Sequence, residues 1–185
     1  MTDFFLVRHG QTDWNAARRV QGRTDIPLND AGREQARGAG EILARRTWDA
    51  VYSSPLSRAV ETARIIAARV GVDEVVTVAD LMERDYGDAE GLTDSEIEAR
   101  YPSGVRAAGQ ETREEVGRRV IAALADIARE RPGERILVVT HGGAIRSVLG
   151  EVDPGTRHPS ITNASVHSFR FHEDRLRLVA FDDPI

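Results

Sequence analysis

An arginine and a histidine stand side by side where an apolar run ends: Phe4-Phe5-Leu6-Val7 leads into Arg8-His9-Gly10-Gln11-Thr12-Asp13-Trp14-Asn15. Cationic groups at the mouth of a buried strand are costly unless an anion comes to meet them. A second His-Gly step, Thr140-His141-Gly142-Gly143, follows the apolar run Ile136-Leu137-Val138-Val139. A third run, Ala50-Val51-Tyr52, leads into Ser53-Ser54-Pro55-Leu56-Ser57-Arg58. Three strands that end in cationic or hydrogen-bonding groups describe a phosphate pocket. A neutral imidazole is a good nucleophile near pH 7, and a covalent intermediate divides one hard displacement into two easier ones. Arginine supplies a planar fork that matches phosphate oxygens and keeps its charge.

The elements that must position these residues follow from the apolar pattern. The runs at 4–7, 50–52 and 136–139 do not alternate, as expected of strands buried on both faces of a mostly parallel sheet. Helical patterns lie between them. Asn29 or Asp30 caps one through about Arg46, with Ala36, Ala39 and Leu43 on one side. Ser54-Pro55 reads as a cap followed by a first-turn proline, opening a helix that buries Ala59, Ala63, Ile66, Ala67 and Val70. Thr93 with Glu96, and Thr112 with Glu115, have capping-box spacing. The second box opens a helix striped by Val116, Val120, Leu124 and Ile127, stopped near Arg131 by Pro132-Gly133. Val166–Phe171 and Leu176–Phe181 flank a polar turn and predict an edge hairpin. The fold expected is α/β, a three-layer sandwich with helices on both faces of a mostly parallel sheet and an antiparallel hairpin near the C-terminus. Ligands in such sheets bind beyond the carboxyl ends of the strands, which is where Arg8, His9, Arg58 and His141 fall.

Composition narrows the function further. A chain of 185 residues, 41% hydrophobic, suits one domain spanning 1–185. Its net charge of −5 offers no basic stripe for nucleic acid or an acidic membrane. The absence of cysteine excludes disulfides, thiolate catalysis and cysteine-ligated zinc. The start of the chain lacks a basic, then apolar, leader, and no apolar run approaches the ~20 residues of a membrane helix. The expectation is a cytoplasmic enzyme with a small-molecule partner, as monomer or homodimer.

Five segments in order resemble the histidine phosphatase superfamily, the phosphoglycerate-mutase-like fold. They are Arg8-His9-Gly10-Gln11-Thr12 with Asn15; Val20-Gln21-Gly22 with Asp25, Pro27 and Leu28; Ser53-Ser54-Pro55-Leu56-Ser57-Arg58-Ala59; Glu83 with Tyr86-Gly87 and Glu90-Gly91; and Thr140-His141-Gly142-Gly143. The resemblance implies that His9 is the nucleophile and Glu83 the general acid and base. It implies that Arg8, Arg58 and a protonated His141 hold the phosphoryl group, with Asn15, Gln21 and main-chain N–H groups near Gly22 and Gly142. No metal or cofactor is implied, since arginine and histidine stand where magnesium stands in other phosphoryl-transfer enzymes. A carboxyl group beside phosphate is favoured in its protonated form by like-charge repulsion and disfavoured by the nearby cations.

Both phosphatases and mutases share this pocket and differ in what covers it. The stretch from Arg84 to Thr112 is short, with Arg84, Arg100 and Arg106 against seven acids: Asp85, Asp88, Glu90, Asp94, Glu96, Glu98 and Glu111. Such an acidic lid favours hydrolysis over retention of a bisphosphate. Mutase chemistry is the alternative, and an inactive phosphate-binding module a weaker one. Asp85 is the competing acid. His158, His167 and His172 read as surface or sheet residues, and Trp14 and Trp48 as packing. Arg18, Arg19 and Arg23 read as a salt-bridged loop that could also meet a second anion. Glu111 reads equally as a cap or as part of a family Gly-Glu-Ser-like step.

Overall fold

The computed structural model describes residues 1–184; Ile185 lies outside the described residues. In chain order the elements are β1 (Thr2–Arg8), α1 (Asp13–Ala16), α2 (Asp30–Leu43), β2 (Ala50–Ser53), α3 (Ser57–Val70) and β3 (Val75–Thr77). They continue with α4 (Asp94–Arg100), α5 (Arg113–Glu130), β4 (Arg135–Thr140), α6 (Gly142–Val152), β5 (Val166–His172) and β6 (Arg175–Ala180). Short 3₁₀ turns at Ala79–Leu81, Gly87–Ala89 and Pro102–Gly104 fill the stretch after β3.

The six strands form one sheet in the order β3-β2-β4-β1-β5-β6. The first four are parallel, and β5 and β6 run antiparallel to close one edge. Period-two alternation sends successive residues of the central strands to opposite faces. Phe4, Leu6, Ile136 and Val138 pack with α5 and α6 on one side, while Phe5, Val7, Leu137 and Val139 pack with α2 and α3 on the other. Both faces are apolar, so the runs read as continuous. The expected three-layer architecture is the observed one.

Local chemistry explains most boundaries. The Asn29 side chain accepts the Gly32 N–H at 2.9 Å and caps α2. Thr93 and Thr112 each form a complete capping box. Gly71, at φ +75°, ends α3 in the left-handed conformation that glycine adopts without strain. Glu173 and Asp174, both at positive φ, turn the β5–β6 hairpin. The Ser54-Pro55 reading fails: α3 starts at Ser57, and Leu56 occupies the cap without a side-chain bond. Asp25 Oδ1 instead accepts both the N–H and the hydroxyl of Ser57, each at 2.8 Å. The Ser54 hydroxyl is committed elsewhere, to His141. Strand β3 escaped the sequence reading because it is three residues long, with Val75 and Val76 only partly buried and Thr77 exposed.

Register brings the three strand tips together. Arg8 lies opposite Thr140 and Ser53 opposite Val139. The His9 N–H then donates to Thr140 O at 2.9 Å, and the Ser54 N–H to Val139 O at 2.9 Å. Among the described residues no helix is long and apolar enough to cross a membrane.

One sheet histidine bears on stability. His167, wholly buried in β5, accepts the Asp182 N–H on Nδ1 and meets Ser165 Oγ through Nε2, at 3.0 Å each. Nδ1 is thus the bare nitrogen, and protonating it would set two donors against each other. Burial pushes this imidazole down to about 4, Asp182 partly opposing. In the window between its ordinary value of 6.5 and about 4, the unfolded chain binds the extra proton and the native chain does not. Stability therefore falls as the solution is acidified through that window. Thermal midpoints measured from pH 7 to pH 4 will decline, and His167→Gln will decline less steeply; an unchanged slope would exclude His167 as a source.

Candidate active site

Beyond the carboxyl ends of β1, β2 and β4 lies a cavity of about 320 Å³. Arg8, His9, Asn15, Gln21, Gly22, Arg58, Glu83 and Gly142 all line it. His141 stands behind this wall, fully buried, its ring centroid 5.1 Å from that of His9. All nine residues singled out from sequence therefore converge.

The His9 ring has a defined tautomer. Its Nδ1 lies 2.6 Å from Gly10 O, and a carbonyl only accepts, so Nδ1 carries the hydrogen. Nε2 keeps its lone pair. Burial, then Arg58 and Arg8, hold the His9 imidazole well below its ordinary value. The nucleophilic form thus persists in mild acid. The same causes, burial first, then Arg58, His9 and Arg8, hold His141 well below its ordinary value. A protonated His141 is accordingly not the state of the free protein. Its Nε2 meets Ser54 Oγ at 2.7 Å, and the Ser54 oxygen already accepts the Leu56 N–H at 3.3 Å. With the Ser54 hydroxyl hydrogen turned to Nε2, Nδ1–H of a neutral His141 is left as a donor.

Arg8 donates to Ile161 O at 2.6 Å, and Arg58 to Gly22 O at 2.7 Å and Thr24 O at 2.9 Å. These carbonyls orient the guanidiniums without neutralising them. Arg8 Nε, Arg58 Nε and His141 Nδ1 are buried with no hydrogen-bond partner among the described residues. An unmade buried hydrogen bond costs about 1–3 kcal/mol, and more for a charged group. Arg8 and Arg58 thus keep N–H donors beside His9 that a phosphoryl oxygen can meet, and His141 joins them in its Nδ1–H tautomer.

The neutral donors are similarly prepared. Asn15 Oδ1 accepts the Thr12 N–H at 3.1 Å, and Gln21 Oε1 accepts the Thr12 hydroxyl at 2.8 Å. Their oxygens are taken, and among the described residues neither amide NH₂ has an acceptor. Gly22, at φ +55°, lends Arg58 its carbonyl, and a side chain there would strike the Glu90 carboxylate. Among the described residues its N–H makes no hydrogen bond, nor does that of Gly142 at the start of α6.

Glu83 is the one acid on the cavity wall. Its oxygens accept the N–H groups of Arg84 at 2.7 Å and Gly143 at 3.0 Å. Arg119 donates to the carbonyls of Asp80, Met82 and Glu83 at 2.7, 2.8 and 2.9 Å, so the segment carrying Glu83 is clamped. Asp85, the competitor, turns away to accept the Gly87 N–H at 2.8 Å.

Sequence reasoning missed the supports and misjudged the lid. The Thr62 hydroxyl donates to Arg58 O at 2.7 Å and accepts the Gly10 N–H at 3.1 Å, tying the nucleophile loop to α3. Asn163 donates to His9 O at 2.9 Å and to Asn15 Oδ1 at 3.3 Å. Gly10 and Gly32 meet so closely that a methyl group on Gly10 would lie 2.3 Å from Gly32 O. The lid acids do not face the cavity. Glu90 accepts N–H groups of Arg23 and Thr24 at 2.9 Å each, and the Thr24 hydroxyl. Glu111 pairs with Arg119 at 3.0 Å and Arg23 at 3.3 Å, serving as a hub and not as a cap. Arg84, Arg113 and Arg146 line the cavity instead, with Tyr86. Of the Arg18, Arg19 and Arg23 cluster, only Arg19 reaches it. Among the described residues no three His, Cys, Asp or Glu side chains cluster as metal ligands.

A family model described as the histidine phosphatase superfamily (branch 1) matches residues 4–184. The chain belongs to that superfamily. Among histidine phosphatases it is 41% identical to an uncharacterized phosphatase, PhoE, of Bacillus subtilis, over 96% of this chain and 93% of the relative. It is 42% identical to phosphoglycerate mutase-like protein 4 of Arabidopsis thaliana, over 98% of this chain and 85% of the relative. Its fold superposes on a mycobacterial glucosyl-3-phosphoglycerate phosphatase with a TM-score of 0.88 and 29% identity, covering 97% and 98% of the two chains. This histidine phosphatase carries the activity class of the superfamily, phosphatase or phosphoglycerate mutase-like.

The ring chemistry makes a spectroscopic prediction. Nitrogen-15 spectra at pH 6 will show His9 as the Nδ1–H tautomer and neither His9 nor His141 as imidazolium. Adding inorganic phosphate will move His141 toward protonation, since an adjacent anion favours the charged ring. Two imidazolium signals in the free protein at pH 6 would contradict the burial argument.

Proposed function

We propose that this single catalytic domain hydrolyses small cytoplasmic phosphomonoesters in two steps, through a phosphohistidine on His9 and with neither metal nor cofactor. The observation that carries the reading is the ring of acceptor-free buried donors around an imidazole with a free Nε2. The Nε2 lone pair attacks phosphorus and the ester P–O bond breaks. Glu83 gives its proton to the departing alkoxide, which leaves as the alcohol. Water then loses a proton to Glu83 and attacks phosphorus, the N–P bond breaks, and inorganic phosphate and the starting His9 are recovered. Arg8, Arg58 and His141 meet the charge that shifts among the phosphoryl oxygens, fixed in place before the reaction begins. The donor set favours an anion and repels a cation, in keeping with a reaction that needs no metal.

Hydrolysis is the reading preferred over isomerisation, because residues 84–112 form a short cover and two of the relatives above are named phosphatases. Phosphoglycerate mutase-like transfer stands as the second reading. It is favoured by one observation, the basic cavity wall of Arg84, Arg113 and Arg146, and by the mutase-like name of the Arabidopsis relative.

His9→Ala will lower turnover on the order of a thousandfold or more. Glu83→Gln will slow alkyl phosphates by roughly a hundredfold or more, and p-nitrophenyl phosphate less, because p-nitrophenolate leaves without a proton. Substrate labelled on phosphorus will leave an acid-labile label on His9. A chelator will leave the rate unchanged. Isomerisation of 3-phosphoglycerate without net phosphate release would replace the hydrolytic reading with the mutase one.

A further inference from the structure

Glu83 must hold one position through two proton transfers, yet the chain that carries it has no regular structure. Residues 82–86 fall between the 3₁₀ turns Ala79–Leu81 and Gly87–Ala89, outside the sheet and every α-helix. Connecting segments of this kind ordinarily move more than the elements they join. Among the described residues the Glu83 carboxyl accepts main-chain donors alone, the N–H groups of Arg84 at 2.7 Å and Gly143 at 3.0 Å. The acid therefore stands wherever its own backbone stands.

Two residues from a distant part of the chain fix that backbone. Arg119, in α5, uses all five N–H groups of its guanidinium. Nη1 donates to Asp80 O at 2.7 Å and Met82 O at 2.8 Å, and Nη2 to Glu83 O at 2.9 Å. The rest of Nη2 and Nε meet the two carboxylate oxygens of Glu111 at 3.0 and 3.1 Å. Glu111, just ahead of α5, takes the next residues: its carboxylate accepts the Asp85 N–H at 2.8 Å, and its own N–H donates to Asp85 O at 2.9 Å. Its carbonyl accepts Arg84 Nε at 2.7 Å. The Thr140 hydroxyl donates to Leu81 O at 2.7 Å, so every carbonyl from Asp80 to Glu83 accepts from a side chain elsewhere in the fold.

The arrangement exceeds what stability alone asks for. The side chains of Arg119 and Glu111 are only 16% and 20% exposed. Burial opposes the Glu111 charge, but hydrogen bonds from Arg119 and the Asp85 N–H, with the charges of Arg119 and Arg23, hold the carboxyl below its usual range. An ion pair by itself adds little net stability, at the surface or inside. A planar fork oriented by a two-point carboxylate and aimed at three successive carbonyl positions fixes a path of backbone, which a point charge cannot do. Arg119 does not line the cavity, so any effect on the reaction passes through the segment it grips.

Resting on the phosphomonoesterase reading, we infer that Arg119, locked by Glu111, is the positioning residue of the general acid: it fixes residues 80–83 so that the Glu83 carboxyl meets the leaving oxygen. The bonds made and broken are unchanged. Misplacing a reacting group by about 1 Å can cost on the order of a hundredfold in rate.

The decisive substrates are phenyl phosphate and p-nitrophenyl phosphate, which differ by one nitro group; phenolate leaves with a proton and p-nitrophenolate without one. Arg119→Met will lower kcat/KM for phenyl phosphate by roughly tenfold or more beyond any loss for p-nitrophenyl phosphate. Combined with Glu83→Gln it will show the bias of Glu83→Gln alone, because the two changes act through one group. Arg119→Lys keeps the charge without the fork and will keep the bias. Full recovery by lysine, or equal losses on both esters in Arg119→Met, would overturn the positioning role. Should Arg119→Met not fold, Glu111→Gln loosens the fork and will show a smaller bias in the same direction; none would overturn the role.

A second readout needs no turnover. The Gly143 amide, which donates to Glu83, will exchange its hydrogen in Arg119→Met faster by roughly tenfold or more beyond any change at Val138 in β4. A Gly143 rate no more altered than that of Val138 would overturn the inference. If Glu83→Gln shows no bias between the esters, the acid assignment fails, and if the wild type hydrolyses neither ester, the hydrolytic reading fails. In both cases exchange at Gly143 still decides whether Arg119 holds Glu83 in place.

Discussion

The site depends on guanidinium groups fastened to main-chain carbonyls. Arg8 hangs on Ile161 O, Arg58 on Gly22 O and Thr24 O, Arg84 on Glu111 O, and Arg146 on His158 O. Elsewhere on the molecule arginines pair with acids: Arg33 with Glu61, Arg37 with Glu34, Arg170 with Asp3. The difference is functional. A carboxylate would orient a guanidinium and cancel its charge, whereas a carbonyl dipole orients it and leaves the full charge for an incoming anion. Burying such a cation costs several kcal/mol of desolvation, and at rest nothing of opposite charge returns it in full. Arg8 and Arg58 also repel each other, a stress that a phosphoryl group relieves.

That stress must be carried by the rest of the fold. Both faces of β1 and β4 are packed, so the strand tips cannot yield, and the parallel register sets His9 beside His141. Thr62, Ser54 and Asn163 then tie the loops to α3, to β4 and to the segment before β5. The layered architecture converts charges that repel one another into a fixed array. Preorganisation of this kind is what makes electrostatic stabilisation effective, since no reorganisation is needed during reaction.

The chemistry-bearing residues were legible in the sequence because strand, turn and helix signals lie next to them. Arg8-His9 and His141 follow continuous apolar runs, and the capping boxes at Thr93 and Thr112 state their own boundaries. Ser54 misled for a physical reason: a serine before proline has the composition of a cap, while its hydroxyl answers to a histidine 87 positions away. Asn163 and Arg119 were invisible because side-chain bonds to distant carbonyls leave no local pattern, and Thr62 because its distant partner is the Gly10 N–H. The acidic count of residues 84–112 was correct as composition and misleading as electrostatics. Glu90 and Glu111 face inward to backbone N–H groups and to Arg119, and the charge presented to the cavity is basic.

The contact between Gly10 and Gly32 has a mechanical consequence. With the backbone of the nucleophile loop pressed directly against the first turn of α2, and Gln11 capped by the same region, no layer of side chains exists there to flex. Loop and helix form one stiff wall. A substrate entering the cavity therefore meets His9 on a surface whose position does not depend on how neighbouring side chains repack.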